Sequence, residues 1–269
     1  MRLASLAMYV NPPPVAEATR RLWHFLHDLL RAEGLGGVPE TLDETIRYDE
    51  AWLHPDLLLA QTCGYPYVRH LRGRVRLVAT PAYGLAGCDG PLKCSFIVVR
   101  RDNPATTLAA IRGSRAAINE PGSNSGVNLF RAAIAPLARG GRFFEEVVET
   151  GGHGASLDAV ASGRADVAAI DCVTYGNMLH FDPDRLANIK VLAETAKSPG
   201  LPLITRAAAS DAELAALRRA LAAAIAAPTL ASVRDTLSLT GFTVLEDDDY
   251  DLLAQMEETA RHLGYPAIA

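Results

Sequence analysis

Short apolar runs of β character alternate with stretches of helical periodicity along all 269 residues, and this alternation restricts the fold more than any other feature of the chain. A strand pattern from Arg2 to Val10 is followed, from about Val15, by a helix whose Leu22, Phe25, Leu26, Leu29 and Leu30 recur at helical spacing. Leu57 to Ala60, Val75 to Thr80 and Cys94 to Arg100 (CSFIVVR) read as further strands bounded by Gly, Pro or Asp. Arg115 to Asn119 (RAAIN), a loop, and a helix from about Ser125 with apolar Val127, Leu129, Phe130, Ile134 and Leu137 come next. The pattern then recurs as Glu145 to Glu149, a glycine-rich loop, a short helix capped by Ser156, and Asp166 to Asp171 (DVAAID). Ile189 to Ala193 and Leu201 to Thr205 are the last strand candidates. Ser210 with Glu213 forms a capping box that opens a long Ala/Leu helix, and two helical stretches close the chain through Asp251 to Leu263. Such alternation predicts an α/β fold of mostly parallel sheets flanked by helices.

Size and charge narrow the function. The length suits one large domain or two of roughly 100 to 150 residues. A hydrophobic fraction of 49% and a mean hydropathy of +0.09 exclude a disordered or fibrous chain. The formal net charge of −5 and pI of about 5.8 leave no global positive field, so nucleic acid is not an expected partner and any anion must be held by a local site. No apolar run is long enough to span a membrane, and the Ala-rich stretch from Leu214 to Ala227 carries Arg218 and Arg219, which mark a helix of a soluble domain. The opening MRLASLAMYVNPPP is too short for a secretory signal and reads as a first strand, which leaves cytoplasmic and exported locations both open. Cys63, Cys88, Cys94 and Cys172 are few and show no CxxC spacing, which argues against a structural zinc site or a disulfide scaffold; no metal or cofactor is expected. A Cys88–Cys94 bridge is geometrically feasible in an oxidising compartment, with free thiols as the plainer reading.

Ligands of open α/β sheets collect where strand ends enter helix N-termini. One such junction, Asn119-Glu120-Pro121-Gly122-Ser123-Asn124-Ser125-Gly126, combines two hydroxyls with two glycines. First-turn N–H groups have no internal partners and carry the positive end of the helix dipole, so an oxyanion can accept several hydrogen bonds there at once. The alternative is that Ser123 or Ser125 simply caps the helix. The segment is not a nucleotide P-loop, for it lacks the G-x-x-x-x-G-K-[ST] pattern.

The Ser-x-Ser-Gly turn, the downstream Gly-x-His and the run ASGRADVAAID ending at Asp171 resemble the phosphate/phosphite/phosphonate-binding protein family, the substrate-binding components of phosphonate-type ABC transporters. The similarity extends over nearly the whole chain, through Tyr9, LLLAQTCGYP (Leu57 to Pro66), SFIVVR (Ser95 to Arg100) and SPGLPLIT (Ser198 to Thr205). It implies a two-lobe type 2 periplasmic-binding-protein fold with the ligand between the lobes and two crossover segments as hinge. Residues 1 to about 86 and 198 to 269 would form the first lobe and 87 to 197 the second, with SFIVVR and SPGLPLIT as the crossings. The implied function is capture of a small phosphorus oxyanion (phosphonate, phosphite or phosphate) for import, without catalysis and with an ABC permease as partner.

By the same resemblance Ser123, Asn124, Ser125 and Gly126 hold the oxyanion. Asn124 stands where the family commonly has Thr or another small polar residue; its amide still donates. Gln61 and Tyr65, in a turn after an apolar strand, would meet the ligand from the other lobe, although Tyr65 could equally pack on Pro66. His153 follows a strand in a glycine loop and would donate to the anion, the alternative being a surface histidine. Asp171 ends an apolar strand and needs a donor, either a protonated ligand oxygen or ligand ammonium, or nearby backbone N–H groups. Tyr9, Tyr83 and Tyr175 sit near strand or crossover ends and complete the candidates.

Two other function classes are open. A serine hydrolase would use Ser125, His153 and Asp171, but the G-x-S-x-G elbow is absent because Ser and Val occupy positions 123 and 127. A ligand-sensing domain or a cofactor-biosynthesis enzyme could share the two-lobe architecture, since fold does not determine function.

Overall fold

The computed structural model describes residues 2–269, which form two compact units. One comprises the chain up to Gly84, Asp89–Leu92 and Pro199–Asp249; the other comprises Leu85–Cys88, Lys93–Ser198 and Tyr250–Ala269.

In the first unit a five-stranded sheet runs in the order Leu3–Ser5, Leu57–Gln61, Leu203–Arg206, Val75–Tyr83, Leu239–Thr243. Only the pair Leu3–Ser5 and Leu57–Gln61 is parallel. Leu203–Arg206 inserts between its neighbours and runs antiparallel to both, with Leu203 opposite Gln61 on one side and Ala79 on the other. Every residue of Leu57–Gln61 is buried, as its unbroken apolar run requires of a strand covered on both faces. Helix Pro13–Ala32 starts on the conformation proline favours at a helix N-terminus and buries Val15, Ala18, Leu22, Trp23, Leu26 and Leu30 along one face. It stops at Gly34, whose φ of 83° takes the left-handed region that ends helices. Helix Asp211–Ala226 is capped by Ser210, whose hydroxyl accepts the Glu213 N–H at 3.2 Å. The Glu213 carboxylate turns to Arg206, which donates to it at 2.6 and 2.8 Å. Among the described residues no single helix is long and apolar enough to cross a membrane.

The second unit holds a five-stranded sheet in the order Ile189–Glu194, Ser95–Arg100, Val167–Asp171, Arg115–Ile118, Glu146–Glu149. Ser95–Arg100 is antiparallel to both neighbours, and the other two pairings are parallel. Ile97, Val99, Ala116, Phe130, Ile134, Phe143, Phe144, Val167 and Ala169 build the core.

Three expectations are corrected. The sheets are mixed rather than mostly parallel, because Leu203–Arg206 and Ser95–Arg100 each run against their neighbours, a direction that local periodicity does not encode. SFIVVR is not itself a crossing; it lies inside the second sheet, and the chain passes between units around Gly84 to Lys93, at Ser198–Pro199 and again after Asp249. The C-terminal helix, assigned above to the first lobe, belongs to the second unit. Ala260 and Tyr265 fill its core, Asn128 Nδ2 donates to the Leu253 carbonyl at 3.0 Å, and the Phe143 N–H donates to the Ala269 carbonyl at 2.7 Å. Burial of a whole Tyr ring outweighs the sequence proximity of this helix to the preceding segment.

Candidate functional site

Parallel strands Arg115–Ile118, Glu146–Glu149 and Val167–Asp171 end on the same edge of the second sheet, and Ser95 pairs with Asp171 at that edge. Three loops therefore converge: Asn119–Gly126, Gly151–His153 and the turn at Asp171. Each begins where a strand feeds a helix, the position at which backbone N–H groups lack internal partners.

The first loop enters its helix through a π turn, Asn124–Asn128. Ser123 is its cap, accepting the Gly126 N–H at 3.0 Å, and the Asn128 N–H reaches the Ser123 carbonyl at 3.1 Å. Gly126 is required by a close approach, since a Cβ there would lie 2.0 Å from Asn119 Oδ1. Ser123, Asn124 and Ser125 are buried at 1%, 1% and 3% exposure, and polar side chains so deep demand partners. Asn124 Oδ1 accepts from Asn128 Nδ2 at 3.2 Å, while the Asn124 amide approaches Ser198 Oγ at 3.5 Å. Ser95 Oγ donates to the Ser125 carbonyl at 2.9 Å and ties the turn to the neighbouring strand.

Ser125 Oγ lies 2.8 Å from His153 Nε2. His153 is the first residue of helix His153–Ala161, placed there by Gly151, whose φ of 84° reverses the chain after the strand. Burial pushes the imidazole down to about 4, with Lys93 adding to the depression and Asp171 and the Ala169 carbonyl opposing it. The ring is therefore neutral near pH 7. Nε2 can accept the Ser125 proton, while Nδ1 is buried and has no hydrogen-bond partner among the described residues.

Asp171 finds its donors inside the protein. Its Oδ1 accepts the Val173 N–H at 2.9 Å and approaches the Thr174 N–H at 3.4 Å, and its Oδ2 is paired with Lys93. Both ends of the pair are buried, at 2% and 3% side-chain exposure. The backbone N–H donors of the alternative reading are present at Asp171, joined by the Lys93 ammonium. Of the three residues a serine hydrolase would use, Ser125 and His153 are in contact, while Asp171 is bonded to Lys93 and to backbone N–H groups.

The remaining candidates lie in the first unit, apart from Tyr175. Gln61 ends its strand with Nε2 donating to the Leu201 carbonyl at 3.2 Å. Tyr65 is half-buried in the Gly64–Pro66 turn. Tyr9 and Tyr83 meet edge to face, with centroids 5.9 Å apart. Tyr175, in the second unit, packs on Phe96 at 5.1 Å. Sequence reasoning did not reach Lys93, Ser95, Ser198 or Asn128. Lys93 had a signal, as one of three lysines in the chain standing at the head of the most apolar strand.

A family model for "ABC transporter, phosphonate, periplasmic substrate-binding protein" matches residues 48–250. A search of curated proteins returns no match. Among solved structures the chain is similar to PhnD1 from Prochlorococcus marinus in complex with methylphosphonate, at a TM-score of 0.76, 14% identity and coverage of 97% of this chain and 98% of that one. It is similar to a binding-protein component of an ABC phosphonate transporter from Pseudomonas aeruginosa, at a TM-score of 0.74, 18% identity and coverage of 92% and 83%. XAC2383 from Xanthomonas citri, bound to ATP, gives a TM-score of 0.71 at 18% identity, covering 98% and 97%. At such identities these likenesses establish a shared fold, that of the periplasmic binding proteins.

Proposed function

The chain belongs to the family of periplasmic substrate-binding proteins of phosphonate ABC transporters, and from that membership we propose that its own ligand is a small phosphorus oxyanion held at the Ser123–Gly126 turn. The observation that carries this reading is the pairing of buried Ser125 with a half-buried, neutral His153 at a helix entrance. When an oxyanion enters, the Ser125 hydroxyl can turn its proton from the imidazole to the ligand, and the ring becomes a donor at Nε2 once it takes up a second proton. The π-turn N–H groups and the Asn124 amide supply further donors without a formal charge. A tetrahedral group with several acceptor oxygens matches donors converging from a turn and from a second helix start.

His153 gives the site a linked proton. An anion beside the ring favours its charged form, so binding raises the imidazole from about 4 and takes up a proton in the interval between the free and bound values. Affinity then increases as pH falls through that interval, until the ligand itself is protonated. A protein with this arrangement binds and releases without turnover, and an ABC permease is the partner that receives the solute.

Calorimetry with methylphosphonate, phosphite, phosphate and sulfate tests the reading. Ser125→Ala should weaken the preferred phosphorus ligand by roughly 10- to 150-fold, the loss of one charge-assisted hydrogen bond of about 1.5–3 kcal/mol. Equal affinity of the variant and the parent for every phosphorus oxyanion would overturn the assignment of the turn.

A further inference from the structure

Three of the four cysteines, scattered in sequence, meet in the second unit. Cys94 precedes strand Ser95–Arg100, and Cys172 is the first residue of helix Cys172–Phe181, directly after its cap Asp171. Their backbones are joined, with the Cys172 N–H donating to the Cys94 carbonyl at 3.2 Å and the Cys94 N–H to the Gly87 carbonyl at 3.1 Å. Gly87 brings the third thiol into the group. Its φ is 85°, and a Cβ on it would lie 2.8 Å from both Cys172 Cβ and Cys94 Sγ, so only glycine lets the chain lie across these two residues. The next residue, Cys88, consequently places its sulfur 3.5 Å from that of Cys172.

The three thiols differ. Cys94 and Cys172 are fully buried, whereas Cys88 is partly exposed and forms the edge of the cluster toward solvent. Cys94 also faces Glu194, with its sulfur 3.9 Å from Oε2. Cys172 sits at a helix N-terminus, next to the Lys93 ammonium that pairs with Asp171. Thiol donation from Cys88, and then from Cys94, lowers Cys172 toward its thiolate against the opposing effects of burial and of Asp171. The same contacts hold the two donors in their protonated forms. Among the described residues no group of three His, Cys, Asp or Glu is arranged to hold a metal ion, so the cluster is not a metal cage.

We propose that Cys172 and Cys88 form a reversible intramolecular disulfide when the protein meets a hydroperoxide, with Cys172 as the attacking sulfur and Cys88 as the resolving one. The Cys172 thiolate attacks the peroxide oxygen, the O–O bond breaks, and sulfenic acid forms as the departing oxygen takes a proton and leaves as water. Cys88 then loses its proton and attacks the Cys172 sulfur, expelling hydroxide, which the released proton converts to water. Two thiols are oxidised by two electrons and one hydrogen peroxide is reduced to two waters. Cys94 remains a thiol, held by Glu194 and farther from solvent. This pairing replaces the Cys88–Cys94 bridge that spacing alone suggested.

The test uses the full chain, reduced, then treated with equimolar hydrogen peroxide and analysed by intact mass and by non-reducing peptide mapping. The expected result is a loss of about 2 Da, reversed by dithiothreitol, with a single linked pair of peptides carrying Cys88 and Cys172. C94S should behave as the parent does, and C88S should stop at a Cys172 sulfenic acid that dimedone traps. A link through Cys94, oxygen added to cysteine without any link, or four thiols still titratable after treatment would each overturn the proposal. Mapping of the parent protein decides the question even if a variant folds poorly.

Discussion

Two buried polar clusters share one edge of the second sheet and differ in how far each satisfies itself. Lys93, Asp171 and the first N–H groups of helix Cys172–Phe181 close on one another, cation on carboxylate and carboxylate on backbone. Ser123–Gly126 and His153 are joined by one hydroxyl–imidazole contact and carry no formal charge, with hydroxyl, amide and ring donors that can be re-aimed. A charge-closed cluster fixes a fold, whereas a neutral cluster rich in movable protons can exchange internal hydrogen bonds for those to a ligand. Stability should therefore reside mainly in the first and binding mainly in the second.

The sharpest way to break this contrast is Asp171→Ala. It removes a helix cap and leaves the Lys93 ammonium buried without its carboxylate, a change that typically costs about 3–5 kcal/mol. Urea denaturation should show that loss, and any affinity change should be secondary to it. A near-unchanged midpoint would mean that Lys93 is not dependent on this carboxylate. Gly126→Ala comes next. The new methyl would sit 2.0 Å from Asn119 Oδ1, so the turn or the asparagine has to move, at a cost of about 1–3 kcal/mol in overpacking. Because the displaced atoms belong to the turn proposed to hold the oxyanion, methylphosphonate affinity should fall with it, and an unaffected affinity would detach Gly126 from the proposed site.

Ser123→Ala should be milder, about 1 kcal/mol for a lost cap, because the hydroxyl accepts from Gly126 and serves the helix first. Comparing it with Ser125→Ala separates capping from binding within one tetrapeptide. Ser123→Ala should shift the denaturation midpoint, while Ser125→Ala should mainly reduce affinity.

The parts of this picture that were legible in the sequence are local. The β/α alternation, the Ser210 cap with Glu213 beside it, and the hydroxyl-rich helix entrance at Ser123–Gly126 all arise from residues within a few positions of one another. What escaped depends on pairings across long stretches of chain. Lys93 meets Asp171 from 78 positions away and Cys88 meets Cys172 from 84, and no periodicity encodes either encounter. Strand direction escaped for the same reason: Leu203–Arg206 carries the same apolar signature whether it enters the sheet parallel or antiparallel. The last helix was misassigned because its destination was decided by the space that Tyr265 fills beside Phe130 and Phe143, not by its neighbours in sequence.

The smallest effect at neutral pH, and the one most specific to the neutral cluster, concerns His153. Its folded value near 4 lies below the roughly 6.5 of an unfolded histidine, so between those values the unfolded chain binds the extra proton. The stability contributed by the neutral ring is complete above about pH 6.5 and is lost progressively as pH falls toward 4. His153→Gln keeps a neutral hydrogen-bonding side chain without the titration, so its unfolding free energy should decline less steeply across that window while matching the parent's slope above pH 7. Saturating methylphosphonate should flatten the parent's decline as well, since a bound anion raises the imidazole and shrinks the gap from its unfolded value. Identical slopes for parent and variant would show that the folded ring takes up its proton over the same range as the unfolded chain, and the contrast between a charge-closed and a charge-neutral cluster would then fail.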